Sequence, residues 1–291
     1  LWNNLGGATF NITGDFGIAF YGAGNYATFN NTGALRKSAG SGVASLQLIV
    51  NNNGGVQAHA GFLSLDAGGA STGWFQANAG CTNNFGGLTH TLLAGARCEG
   101  PGLFEVAQNY TAATLAFQAP LTLTNRFLLH NGGTLAGTNT VVFAGPFDWV
   151  AGQMTDTGKT VFTNAATVNF SSAALKAWRQ RTIENYTTVT YSGGGLYADL
   201  GGLWNNLGGA TFNITGDFGI TYYGAGSFAT FNNTGALRKS AGSGQSDLQL
   251  NVRNAASNSL LRSESGVLNL SVSFIQTNGL TQLAGGHFAG I

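Results

Sequence analysis

Charge is the first thing this chain lacks. Only 8% of its 291 residues are Asp, Glu, Lys or Arg, against roughly 25% in an ordinary soluble domain. Twelve basic and 11 acidic side chains leave a net charge of +1, which gives no electrostatic argument for a nucleic acid or an anionic membrane. Long apolar runs are missing too: "LQLIV" at 46–50 is typical, far short of the roughly 20 residues that span a bilayer. Proline occurs three times, methionine once and cysteine twice. The four histidines, His59, His90, His130 and His287, stand far apart in the chain, without the close spacing of a metal site. No cofactor or metal is expected.

What fills the chain instead is glycine, 46 of them, with abundant Asn, Thr, Ser and Ala. Twenty phenylalanines and a 43% hydrophobic content supply the burial that disordered low-complexity chains lack. The chain therefore folds, and at this length it can bury a large core.

Its most informative feature is repetition. "LWNNLGGATFNITGDFGIAFYGAGNYATFNNTGALRKSAGSG" at 1–42 returns at 203–244 with four substitutions, Phe20 to Tyr222 and Tyr26 to Phe228 among them, every position being shifted by 202. Beyond Gly244 the match decays; Gly61 aligns with Gly266, a shift of 205. We read residues 1–202 as one full tandem unit and 203–291 as the start of the next, together one continuous β-solenoid and a window on a longer array.

Inside that long period runs a shorter one. Segments such as "GGATFNI", "HNGGTLAGTNTVVF" and "NAATVNF" alternate apolar with small polar residues, the period of a strand with one buried face. Turn residues recur about every 20 to 26 positions, giving about nine turns per unit. Short strands at this spacing fit an antiparallel sandwich or a parallel β-helix. Three features favour the β-helix. Gly and Asn pairs (Asn3-Asn4, Asn30-Asn31, Asn83-Asn84, Gly132-Gly133) suit corners that need positive φ; scarce charge avoids like-charge ladders; and mixed Ala, Val, Leu, Ile and Phe fill a narrow dry interior. The fold predicted is all-β, a parallel β-helix of about 20–26 residues per coil with no substantial helix. "AALKAWRQRTI" at 173–183 reads as a loop or one short turn.

The phrases "FNNTGALRKSAGSG", "FDWVAGQMTDTGKTVFTNAATVNF" and "SFIQTNGLTQLAGGHFAGI" resemble the degenerate repeats of giant bacterial extracellular and cell-surface proteins, of the filamentous-haemagglutinin and autotransporter-passenger type. The resemblance implies a secreted, elongated solenoid serving as stalk, adhesin or fibre. It brings no catalytic residues.

Candidate chemistry is sparse, and no enzymatic activity is expected. "GASTG" at 69–73 matches a nucleophile-elbow string around Ser71, but an elbow needs a strand-to-helix turn with His and acid partners. The carboxylate pairs Glu99 with Glu105, Asp148 with Asp156, and Asp199 with Asp217 are those a glycan-cleaving β-helix would use. "KAWRQR" at 176–181 is the local basic cluster, where Lys176, Trp178, Arg179 and Arg181 offer a contact for a sugar or an acidic partner. Sequons fall at Asn11, Asn30, Asn109, Asn169, Asn185, Asn213, Asn232 and Asn269. Cys81 and Cys98 stand slightly less than one coil apart, and they form a disulfide if a tight coil brings them onto adjacent rungs. Two readings follow. The first is a structural or adhesive extracellular rod whose partners are further copies of itself, end to end or side by side. The alternative is a carbohydrate-binding or carbohydrate-cleaving β-helix with a lateral groove.

Overall fold

The computed structural model describes residues 1–22, 24–107 and 112–290. Two compact units divide the chain, Leu1–Thr140 and Val141–Ile291. Each is a parallel β-solenoid, and no helix occurs among the described residues.

In the first unit the chain passes through three columns of strands in turn. Ile49–Asn52, Gly55–Ala58 and Phe62–Leu65 make one coil, and Gly69–Ser71 returns to the column where the coil began. The pairings are parallel, with register partners 27 residues apart at Asn4 and Asn31 and 21 apart at Asn31 and Asn52. The second unit repeats the scheme: Lys176–Arg179 pairs with Leu196–Asp199, Thr182–Asn185 with Leu203–Asn206, and Thr188–Tyr191 with Thr211–Ile214. The shortest coils match Asn52 with Ser71, and the longest match Ile220 with Leu248. The spread is wider than the turn spacing in sequence implies because the long coils carry outward loops, which lengthen a coil without moving its strands.

Strands of mostly three or four residues alternate half-exposed and buried positions, as in Leu203–Asn206 and Thr230–Asn233. The inward residues stack in register: Ile183, Trp204, Phe231 and Val252 occupy successive coils of one column and are all buried. The Trp204 and Phe231 rings lie nearly parallel, 12° apart with centroids at 5.9 Å. Each such side chain contributes about 1.5–3 kcal/mol by burial, and parallel register places it directly over the next.

Corners are set by glycine where backbone approaches backbone. Gly69 has φ +135° and its missing Cβ would lie 2.0 Å from the Val50 carbonyl oxygen, so no other residue fits. The asparagine pairs behave otherwise. Asn3-Asn4, Asn30-Asn31 and Asn83-Asn84 lie within strands, and no asparagine is among the described residues with positive φ. Their expected corner role is thus corrected, because the amide is needed in the interior. The segment expected as a loop at 173–183 is corrected as well. Lys176–Arg179 is a strand with Lys176 and Trp178 turned inward, because alternate residues must face the core once the segment joins the ladder.

Candidate functional site

Among the described residues a ladder of asparagine side chains runs inside the solenoid of each unit. In the second unit Asn185 Nδ2 donates to Asn206 Oδ1, Asn206 to Asn233 and Asn233 to Asn254, each at 2.8 Å. Asn254 continues to Gln276 Oε1 at 3.4 Å. The first unit has the same device: Asn4 donates to Asn31 at 2.7 Å and Asn31 to Asn52 at 2.8 Å. These asparagines are almost wholly buried. Their amides also donate to backbone carbonyls of the following coil, as Asn206 does to Ala236 and Asn233 to Leu260, both at 2.9 Å. One residue thereby joins coil to coil twice. The paired asparagines of the tandem repeat are the signal for this in the sequence, since the second of each pair recurs at the inward position.

Buried lysines close the turns. Lys37 Nζ donates to Asp15 Oδ1 at 2.9 Å and to the carbonyls of Ala39 and Gly40 at 2.7 Å. In the other copy Lys239 Nζ donates to Asp217 at 2.7 Å and to the Gly216 and Ala241 carbonyls at 2.8 Å. The lysine hydrogen bond holds both aspartates below their usual range. Lys176 is buried with no carboxylate partner among the described residues, donating to the carbonyls of Ser172, Ala174 and Gly193 at 3.1–3.3 Å, and burial pushes its pKa down to about 8.

The expected contact cluster at 176–181 therefore does not form a surface. Lys176, Trp178 and Arg181 are closed off from solvent. Trp178 Nε1 donates to the Arg181 carbonyl at 2.7 Å, and Arg181 Nε to Thr160 Oγ1 at 2.8 Å. Of the four, only Arg179 reaches the exterior, gripping Asp199 through Nε at 2.8 Å and Nη2 at 3.0 Å. Alternation along the strand buries every second residue, which a run of basic letters does not reveal.

The cysteines are free, correcting the disulfide expectation. Cys98 pairs in register with Phe75 rather than Cys81, because the interval between the two cysteines falls short of even the tightest coil. Burial, and next the charge of Glu99, raises the Cys98 thiol.

Ser71 does meet a histidine: its Oγ lies 2.8 Å from His90 Nε2. Both are buried, and desolvation lowers His90 to about 4. The ring's Nδ1 has no hydrogen-bond partner among the described residues, and the Ser71–His90 contact joins two neighbouring coils. Of the carboxylates, Glu99 bonds Arg97 at 2.8 Å, Glu105 lies buried 3.3 Å from His130 Nε2, Asp148 accepts from Asn169 at 3.0 Å, and Asp199 and Asp217 are held by Arg179 and Lys239. Asp156 sits at a positive-φ turn. His59 faces Gln76 at 3.4 Å and His287 is exposed. Among the described residues no three His, Cys, Asp or Glu side chains gather as a metal would need. Of the sequons, Asn185 is buried in the ladder and Asn11 exposed, while Asn109 lies outside the described residues. No family model, curated protein or solved structure matches the chain.

Proposed function

We propose that this chain is a structural or adhesive element, a rod or fibre segment working outside the cell or on its surface and assembling with further copies of the same kind of coil. One observation carries the reading: many of the polar side chains are engaged with a neighbouring coil or with their own turn. Asparagines bond asparagines, lysines cap turn carbonyls, and where Arg238 and Arg262 stack in register the Glu264 carboxylate lies 2.8 Å from one and 3.0 Å from the other. Chemistry used in this way adds length and stiffness, and a repeated gene segment extends it without new contacts having to be invented. Scarce charge and small polar outer residues suit a surface that does not attract soluble partners by electrostatics. A carbohydrate-cleaving groove gains little support, because Glu99, Asp199 and Asp217 are each neutralised by a cation.

The test is to lengthen the chain by one more copy of residues 1–202 and compare the two proteins by small-angle scattering. The maximum dimension should grow by about 43 Å, for about nine coils at about 4.8 Å each, with the cross-sectional radius unchanged. A growth in cross-section at nearly constant length would overturn the rod.

A further inference from the structure

The four substitutions between the two copies are not scattered. They are Ala19 to Thr221, Phe20 to Tyr222, Asn25 to Ser227 and Tyr26 to Phe228, all within one eight-residue stretch that in the second copy begins on the last strand residue, Thr221, and runs into the loop after it. The loop's base is the same in both: the Phe20 N–H donates to Gln47 Oε1 at 2.9 Å and the Tyr222 N–H to Gln249 Oε1 at 3.1 Å. An aromatic pair is preserved while its hydroxyl changes rings. Phe20 and Tyr26 have centroids 4.5 Å apart at 37°, Tyr222 and Phe228 4.2 Å apart at 38°. The scaffold is held and the rim is varied.

In the second unit the unchanged Tyr223, next to the varied positions, forms part of a ledge. Tyr223, 59% exposed, packs against Tyr197 of the preceding coil with centroids at 4.7 Å and ring planes 39° apart. Arg179, one coil further back, places its guanidinium carbon 5.7 Å from the Tyr223 ring centre. Backbone bonds pin the loop to the coil of Tyr197, from the Leu200 N–H to the Ala225 carbonyl at 3.0 Å and from the Gly201 N–H to the Ser227 carbonyl at 2.8 Å. In the first unit the matching Tyr21 is 95% exposed.

We propose that the ledge of Tyr197, Tyr223 and Arg179 binds a neutral hexopyranose within an extended glycan. The inference rests on the adhesive half of the function above. Tyr223, 59% exposed, and the half-exposed Tyr197 tilted 39° beside it present electron-rich ring surface that suits the C–H face of a pyranose. Arg179 directs Nε and Nη2 at Asp199, which leaves Nη1 to bond a ring hydroxyl. Asp199 also neutralises the guanidinium, so an acidic sugar gains no net attraction, and a nucleic acid would need uncompensated cations. Outward aromatics with a few placed polar groups are what such a site requires.

The experiment titrates the intact chain with gluco-, galacto- and manno-hexaoses and with tetragalacturonate by calorimetry. At least one neutral hexaose should bind and tetragalacturonate should not. Tyr223→Ala should weaken binding by up to about tenfold, with only a small shift of its urea midpoint because the ring is 59% exposed. Tyr21→Ala, the same position in the other copy, should bind as the parent does. Absence of binding by every neutral hexaose, equal binding of tetragalacturonate, or an unaffected Tyr223→Ala would overturn the proposal. So would sedimentation showing that the ledge instead holds a second copy, with Tyr223→Ala abolishing a dimer that no sugar disturbs. The rod reading is judged separately, since the lengthening experiment does not involve the ledge.

Discussion

The buried side chain of Asn233 accepts a hydrogen bond from Asn206 and donates one to Asn254, both at 2.8 Å. Parallel stacking brings identical residues directly over one another, and an amide is among the few side chains that can both donate and accept along such a line. Buried polar groups left unmatched cost more than matched ones contribute.

Asn233→Ala should therefore destabilise the chain by about 2–4 kcal/mol, the sum of an orphaned amide on each side and a small cavity. Urea unfolding measures it. A loss below about 0.5 kcal/mol, the size of a neutral surface change, would mean that the ladder is incidental.

Lys176 gives a pH signature. Its folded pKa of about 8 lies below the ordinary lysine value of 10.5 that the unfolded chain keeps, so above pH 8 the unfolded chain holds more protons than the folded one and stability rises with pH. Below pH 8 both states are charged and the burial cost is felt in full. Between pH 8 and 10.5 the parent should gain stability relative to Lys176→Met, which cannot titrate there. Urea midpoints of the two proteins at pH 7.5 and 10 check this; a difference between them that stays constant, or moves the other way, contradicts it.

Most of the architecture is legible in the sequence because it is written in alternation and repeat. Strand after strand with one apolar face, such as "TFNI" and "TFNN", allows little but stacked short strands. What is not legible is which polar letters turn inward. Lys176, Trp178 and Arg181 look like an exposed basic patch in sequence, yet burial is decided by register, and a lysine is stable inside when carbonyls surround its ammonium. Asn4 and Asn31 look like corner residues for the same reason: Asn favours turns locally, and only its neighbours on adjacent coils make the interior preferable. The aromatic ledge is hidden because Tyr197 and Tyr223 meet through a ring contact between coils, not through sequence neighbourhood.

Thiol chemistry follows from the register as well. Unfolded in guanidinium without reductant, the chain should show two reactive thiols. In the native state at pH 8, Cys98 should react slowly, because its raised pKa leaves little thiolate. Fewer than one thiol per unfolded chain would restore the disulfide.

The stacking itself is tested most directly by spin labels on one outward column of the second unit. Val161, Glu184, Asn205, Asn232, Arg253 and Ile275 follow one another in register. With Cys81 and Cys98 replaced by serine, labels at Val161 and Ile275 span five coil steps, about 24 Å of backbone separation, and labels at Asn205 and Ile275 span three, about 14 Å. Pulsed electron resonance should return narrow distributions whose centres differ by about 10 Å. Broad distributions, or a Val161–Ile275 distance no longer than the Asn205–Ile275 distance, would contradict coil-on-coil stacking.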